Sequence, residues 1–233
     1  MSKNLIIAID GPAGSGKSTT AKIVARKLGY IYIDTGAMYR AITFLAIRNQ
    51  ILGDEKKIIE LAESCNIDLN FINGKIDIKV NDENLTDKIR TIDVNNNVSD
   101  ISKIKGVRKV LVKKQRAIGA SGPGIVMEGR DITTIVFPNA DVKIFLTATL
   151  DERAIRRAKE YAETGTQIPV ENIKENLHQR DTIDSNRKIS PLRQVEDAVV
   201  VDTSYLTIDE QVKMILNEAA KKAKETGTEI NIR

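Results

Sequence analysis

Apolar and polar positions fall into two alternating textures along this chain. Five short apolar runs have the length and β-branched content of buried strands: Leu5-Ile6-Ile7-Ala8-Ile9, Tyr30-Ile31-Tyr32-Ile33, Ile125-Val126-Met127-Glu128, Val142-Lys143-Ile144-Phe145-Leu146 and Ala198-Val199-Val200-Val201-Asp202. Helical spacing fills the intervals. It covers Thr19 to Leu28, a stretch from Asp34 or Thr35 with Ala41, Phe44, Leu45 and Ile47 on one face, Ile92 to Ala117 with a break expected at Gly106, and Thr207 to Lys224. Near-continuous apolar strands alternating with helices predict an α/β fold, a parallel five-stranded sheet with helices on both faces.

Two segments depart from that rhythm. From about residue 53 to 91 a short helix, Glu55 to Ala62, precedes the alternating runs Ile67-Asp68-Leu69-Asn70-Phe71 and Lys75-Ile76-Asp77-Ile78-Lys79-Val80, with turns at Asn73-Gly74 and Asn81-Asp82. Alternation about an Asn-Gly turn is the pattern of a hairpin, so a small antiparallel insertion standing apart from the parallel core is expected. From about 151 to 187, Arg153, Arg156 and Arg157 fall on one helix face, and Arg180, Asp184 and Arg187 share another if Val170 to Asn186 is helical. The polar turn Glu163 to Pro169 joins them, and two arginine-bearing helices about such a turn make a lid. The core then comprises about 1–52, 92–150 and 188–233.

The chemistry is concentrated where the first strand ends. Gly11-Pro12-Ala13-Gly14-Ser15-Gly16-Lys17-Ser18 fits G-x-x-x-x-G-K-[ST] with a strand before it and a helix, from Thr19, after it. Glycines let successive N–H groups curl inward at a phosphate chain, and the helix adds its positive end. Lys17 is placed to reach the β and γ phosphates and the Ser18 hydroxyl to sit on Mg²⁺, which makes this a purine nucleoside triphosphate site. The loop alone does not separate a GTPase, a motor ATPase and a small-molecule kinase. Arginines do more, because phosphoryl transfer needs positioning, exclusion of water and cations on the transferred group. Solvated, salt-bridged helix faces are the plainer account of the lid charges, and spacing does not choose between Arg153 and Arg157.

Composition narrows the partners. A formal net charge of +4, with arginines scattered among carboxylates, suits small polyanions better than a nucleic acid. The single cysteine, Cys65, excludes an internal disulfide framework, fits a reducing compartment and reads as a small packing residue. No stretch is apolar for long enough to span a membrane, so a cytoplasmic protein is expected, and without an obvious exposed apolar stripe, a monomer.

The motifs G-P-A-G-S-G-K-S-T, D-T-G-A-M-Y-R, E-G-R-D-I-T-T-I-V-F-P and R-D-T-I-D-S-N-R-K-I-S-P-L, in that order and spacing, resemble those of bacterial cytidylate kinases along nearly the whole chain. That resemblance implies a P-loop NTPase-type fold with an enlarged monophosphate-binding insertion, and transfer of the ATP γ-phosphate to CMP or dCMP with Mg²⁺. It places ATP on Gly11, Pro12, Ala13, Gly14, Ser15, Gly16, Lys17, Ser18 and Thr19. It places the monophosphate among Thr35, Arg40, Ser99, Arg108, Arg130, Asp131, Arg180, Asp184 and Arg187. Arg40, Arg130 and Arg187 are implied on its phosphate, Ser99, Arg108 and Asp184 at the cytosine, and Asp184, Arg180 and Asp131 at the sugar. Lys17, Arg130, Asp131 and Arg187, with the lid arginines Arg153 and Arg157, are implied in the transfer, and Asp34 as a water-mediated metal contact beside Ser18. Many relatives carry Ser at Thr35 and Asp at Glu128, and the hydroxyl and carboxylate are retained here. UMP or a non-nucleotide acceptor is the alternative for a P-loop kinase. A regulatory GTPase would need an N-K-x-D motif, which is not found.

Overall fold

The computed structural model describes residues 4–72, 75–119, 124–163 and 165–233. Five parallel strands, β1 (Ile6–Asp10), β2 (Ile31–Asp34), β6 (Ile125–Gly129), β7 (Val142–Thr147) and β8 (Val199–Asp202), form one sheet in the order β2-β6-β1-β7-β8. β1 and β6 lie inside the sheet and are buried on both faces, which is why their sequences do not alternate. β8 is an edge, and there Val200 is exposed. The strand order reverses direction at β1, so the crevice at the carboxyl ends of β1, β2 and β6 is the expected ligand site. Each strand begins or ends within a residue or so of the apolar run that predicts it, and Asp34 at the end of β2 lines that crevice.

Helices α1 (Lys17–Leu28), α2 (Thr35–Arg48), α4 (Ile92–Lys103), α5 (Lys105–Gly119) and α8 (Ile208–Thr226) complete the core. The break inside the predicted 92–117 helix falls at Ile104, not at Gly106. Gly106 sits in the first turn of α5 because the helix passes close to α3 (Glu55–Ser64): a Cβ there would lie 2.4 Å from Ile59 Cδ1. Asp34 is the cap of α2, its carboxylate accepting from the Ala37 N–H at 2.9 Å.

In the insertion, β3 (Ile67–Ile72) and β4 (Lys75–Val80) pair antiparallel, in register from Ile67 against Val80 to Ile72 against Lys75. The Asn73-Gly74 turn lies outside the described residues. The second turn is present, with Asn81 and Asp82 both at positive φ, the geometry of a tight hairpin. It leads into a third strand, β5 (Glu83–Asn84), too short to show periodicity. The insertion does not stand apart. Ile58, Ile67, Ile78, Val80, Leu85 and Ile89 share one buried cluster with Ile7, Ile9 and Val24 of the parallel core, because the hairpin packs against α2 and β2 and α3 packs against α2 and α5. Cys65 is buried in the same cluster.

The lid segment is a pair of packed helices, α6 (Leu150–Glu163) and α7 (Val170–Asn186). Of the polar turn between them, Thr164 lies outside the described residues. The pair has its own small core of Ala154, Ile173 and Leu177, and this core also takes in Ala13 of the phosphate loop.

Candidate active site

A groove of about 900 Å³ runs between the carboxyl ends of the strands, the lid and the insertion. One wall is the 11–19 loop. β1 delivers the chain to Gly11, whose φ of 154° and approach to β7 leave no room for a side chain: a Cβ would stand 1.9 Å from the Leu146 carbonyl oxygen. Gly16 caps α1 in the left-handed region at φ 91°, with no side-chain cap and no acidic residue in the first turn. The first amides of α1 therefore carry no competing carboxylate, the condition for binding an anion at a helix start. Ala13, Gly14, Gly16, Lys17, Ser18 and Thr19 face the groove, whereas Gly11, Pro12 and Ser15 lie behind it as the loop's support. Lys17 Nζ donates to the Pro12 carbonyl at 2.6 Å, which fastens the ammonium across its own loop. Burial, then the nearby Arg130, pushes Lys17 down to about 7.

The opposite wall is made of guanidinium groups from distant segments. Arg40 of α2, Arg108 of α5, Arg130 after β6, Arg157 of α6, Arg180 of α7 and Arg187 at its end all line the same groove as Lys17. Carboxylates hold some of them. Arg130 Nε donates to Asp184 at 2.9 Å, Arg187 Nη1 approaches the other oxygen of Asp184 at 3.4 Å, Arg40 donates to Asp34 at 2.7 Å, and Arg108 is bonded to Asp131. Burial alone would raise Asp184, but Arg130, Arg187 and Arg180 outweigh it and keep the carboxylate low and charged. The carboxylates do not satisfy the cluster. Arg40 Nε, Arg108 Nε, Arg180 Nε and Arg187 Nη2 are buried without a hydrogen-bond partner, as is the Tyr39 hydroxyl. Arg180 is pushed down to about 10 by burial and by Arg130 and Arg157, and Arg187 is lowered by burial and by Arg108. Mutual repulsion among buried cations with unused N–H groups describes a site that fits a multivalent anion.

Two carboxylates mark the floor between the walls. Asp34 and Glu128 are paired across β2 and β6, and Tyr32 donates to Glu128 at 2.7 Å. Burial and the neighbouring Asp34 raise Glu128, while Arg40 and Arg90 overcome burial to hold Asp34 low. The Ser18 hydroxyl is hydrogen-bonded within this group. A hydroxyl beside two crowded carboxylates fits a divalent cation, which would relieve their repulsion. Among the described residues no three or more His, Cys, Asp or Glu side chains cluster as a metal cage, so the fitting ion is one carried by phosphates.

Thr35 and Ser99 also reach the groove; the Thr35 hydroxyl donates to the Glu128 carbonyl at 2.8 Å. The expected pair Arg153 and Arg157 separates. Arg157 faces the groove, with an exposed Glu160 as ion-pair partner at 2.8 Å. Arg153 does not line it: the guanidinium is buried, donating to the Ala13 and Ala148 carbonyls at 3.1 Å and to Asp181 at 2.6 Å, so it is not among the groups that face the groove. Arg156 is held by Thr203 after β8 at 2.9 Å. His178 is exposed on α7.

Among the groove residues given no site role from sequence are Glu128, Lys22 and Arg90. Glu128 ends a strand and reads as core. Lys22 lies one helical turn past Ser18 on α1, a spacing that could have placed it here. Arg90 stands within 4.0 Å of Asp34 on a single helical turn of the insertion, Lys88–Arg90, for which no sequence signal exists.

A sequence model of the cytidylate kinase family matches residues 7–221. The chain is 49% identical over 225 residues to a cytidylate kinase of Bacillus licheniformis, covering 96% of this chain and 99% of that one. It is 48% identical to a cytidylate kinase of Bacillus subtilis, covering 96% and 100%. Among solved structures, a gluconokinase from Sinorhizobium meliloti superposes with a TM-score of 0.51 at 16% identity, covering 96% of this chain and 97% of that one, a likeness of fold alone.

Proposed function

The chain belongs to the cytidylate kinase family, and on that premise we propose that it transfers the ATP γ-phosphate to CMP and dCMP, with the groove as its active site. The observation that carries the assignment of the groove is the set of buried, unsatisfied guanidinium N–H groups facing Lys17 and its loop.

Residues 11–19 hold the ATP phosphates, with Lys17 on the β and γ groups. Arg40, Arg130 and Arg187 hold the acceptor phosphate, and Arg157 neutralises charge on the group in flight. The acceptor is a phosphate monoester, largely doubly ionised at neutral pH because its second pKa is ~6, so it attacks without a general base. That agrees with a site whose chemistry is carried by cations and in which the one histidine, His178, is exposed. Ser18, with Asp34 and Glu128 behind it, would hold the Mg²⁺ of MgATP, which would offset phosphate charge. Ser99 and Arg108 face the cytosine edge, and Asp184, Arg180 and Asp131 the sugar. Cytosine offers an N4 donor beside N3 and O2 acceptors, whereas uracil reverses the first two. A mismatched buried partner costs ~1–3 kcal/mol.

Residues 53–91 act as the monophosphate-binding region and 151–187 as a lid that closes over both nucleotides and excludes water. Most exposed large apolar residues, among them Leu52, Ile92, Ile155, Val200 and Tyr205, lie on separate segments, and among the described residues only α8 carries two, Ile208 and Met214, which supports a monomer, and a single cysteine supports a cytoplasmic setting. Turnover of CMP, dCMP, UMP and AMP with ATP and Mg²⁺ tests the reading. Fast reaction with CMP and dCMP is expected, and rapid UMP or AMP turnover with negligible CMP turnover would overturn it.

A further inference from the structure

Arg153 joins the two walls of the groove. Its Nη1 donates both to the carbonyl of Ala13, inside the phosphate loop, and to Asp181 Oδ2 on α7, at 3.1 and 2.6 Å, while Nε is fixed by the Ala148 carbonyl at 3.1 Å. Ala13 is anchored twice, since its methyl also belongs to the lid core with Ala154, Ile173 and Leu177. The next residue, Gly14, lies against the same arginine, where an added Cβ would meet Arg153 Cβ at 3.2 Å. Asp181 follows Arg180 and precedes Asp184 by one helical turn, so α7 carries the acceptor-side groups and the partner of Arg153 on one rigid element. A displacement of α7 is therefore felt at a carbonyl of the donor loop through one shared nitrogen.

We propose that Arg153 and Asp181 are positioning residues that couple the two substrate sites: a phosphate chain seated on the 11–19 loop fixes the Ala13 carbonyl, and through Arg153 and Asp181 holds α7 with Arg180 and Asp184 in place for the acceptor. The inference rests on the kinase reading of the groove. Neither side chain touches substrate. Lysine at 153 keeps the charge but lacks the planar fork that serves three oxygens at once, so charge alone cannot replace it. Asp181 keeps its Oδ1 buried and unpartnered, so the carboxylate is committed to this contact and not to a surface ion network.

Calorimetric titration of the full chain with CMP, with and without a non-hydrolysable ATP analogue and Mg²⁺, tests this in the parent protein, Arg153→Lys, Asp181→Asn and the double variant. In the parent, the bound analogue should tighten CMP about tenfold, within the usual range of coupling between sites. Each single variant should reduce that factor to below about threefold and bind either nucleotide alone within about threefold of the parent, and the double variant should lose no more than the singles, as for one shared route. Asp181→Asn changes a partly buried partner with little change of shape and keeps the test open if Arg153→Lys does not fold. A coupling factor unchanged in the folded variants overturns the proposal, as does equal weakening of both nucleotides with the ratio intact, the mark of a mere brace. A parent that binds the analogue and not CMP refutes the kinase reading instead.

Discussion

The proposed donor wall is mostly backbone, the loop of residues 11–19 bent by glycines, with Lys17 as its one charged side chain. The opposing wall is mostly side chain, with arginines drawn from α2, the insertion, α5, α6, the end of β6 and α7. Backbone amides cannot be mutated away or titrated, and they are positioned by the fold around them. Guanidinium groups bring stronger, forked contacts, but they repel one another and must be restrained by carboxylates such as Asp184. The donor wall should thus fail through steric intrusion, and the acceptor wall through loss of single side chains.

The largest effect belongs to the acceptor wall. Arg187→Ala removes a guanidinium that shares Asp184 with Arg130 and has a free buried Nη2. It should lower kcat/KM for CMP by about 10²–10³, the usual cost of one preorganised donor, and leave binding of an ATP analogue within about threefold. Equal losses for both nucleotides would erase the distinction between the walls. The donor wall answers through Gly11→Ala, where a Cβ would stand 1.9 Å from the Leu146 carbonyl. The clash is with backbone, so relief requires moving β7 or the loop, and a loss of about 3 kcal/mol in a denaturant titration is expected. Arg157→Ala, across the groove, should leave stability unchanged within about 0.5 kcal/mol.

Protons give a finer contrast. The Lys17 ammonium lies near 7 in the free protein through burial and Arg130, well below its unfolded value. A phosphate chain favours the charged form, so at pH 8, where Lys17 is mostly neutral, nucleotide binding to the loop should take up close to one proton. At pH 5.5 the lysine is already charged and uptake should vanish. Arg180, lowered only to about 10, stays charged throughout, so CMP at pH 8 should take up almost none. Titrations in buffers of different ionisation heat would measure both. In the free protein folding has the opposite sign: between about 7 and 10 the unfolded chain holds the Lys17 proton that the fold releases, so the cost of burying this group falls as the pH rises.

The two walls also differ in how far they could be read from sequence. Loop and helix start are contiguous, and local rules of strand, glycine and helix place Gly11 to Thr19 without tertiary information. The five parallel strands share that advantage, since runs such as Ile6 to Ile9 need no partner to declare themselves. On the arginine wall, spacing alone put Arg153 and Arg157 on one face and could not tell which enters the groove. That is settled by long-range contacts, the Ala13 carbonyl and Asp181, that no periodicity contains. Gly106 looked like a break because glycine weakens helices, yet it is there for the close approach of Ile59. The insertion looked independent because its alternation differs from that of the core, but alternation reports which face is apolar, not what covers it.

The walls meet at Thr35, which gives the smallest effect. Its side chain stands at the start of α2 among the acceptor groups, but its hydroxyl donates at 2.8 Å to the carbonyl of Glu128 in an interior strand. A side chain there is fixed by backbone, as the donor wall is. Thr35→Ser keeps the hydroxyl and removes one buried methyl, so a stability loss of about 1 kcal/mol is expected, and a change in kcat/KM for CMP below about threefold. Thr35→Val keeps the volume and removes the donor, leaving the Glu128 carbonyl without that bond, and should lower kcat/KM about tenfold. If serine and valine behave alike, the contact with the strand contributes nothing, and Thr35 positions the acceptor by its shape alone.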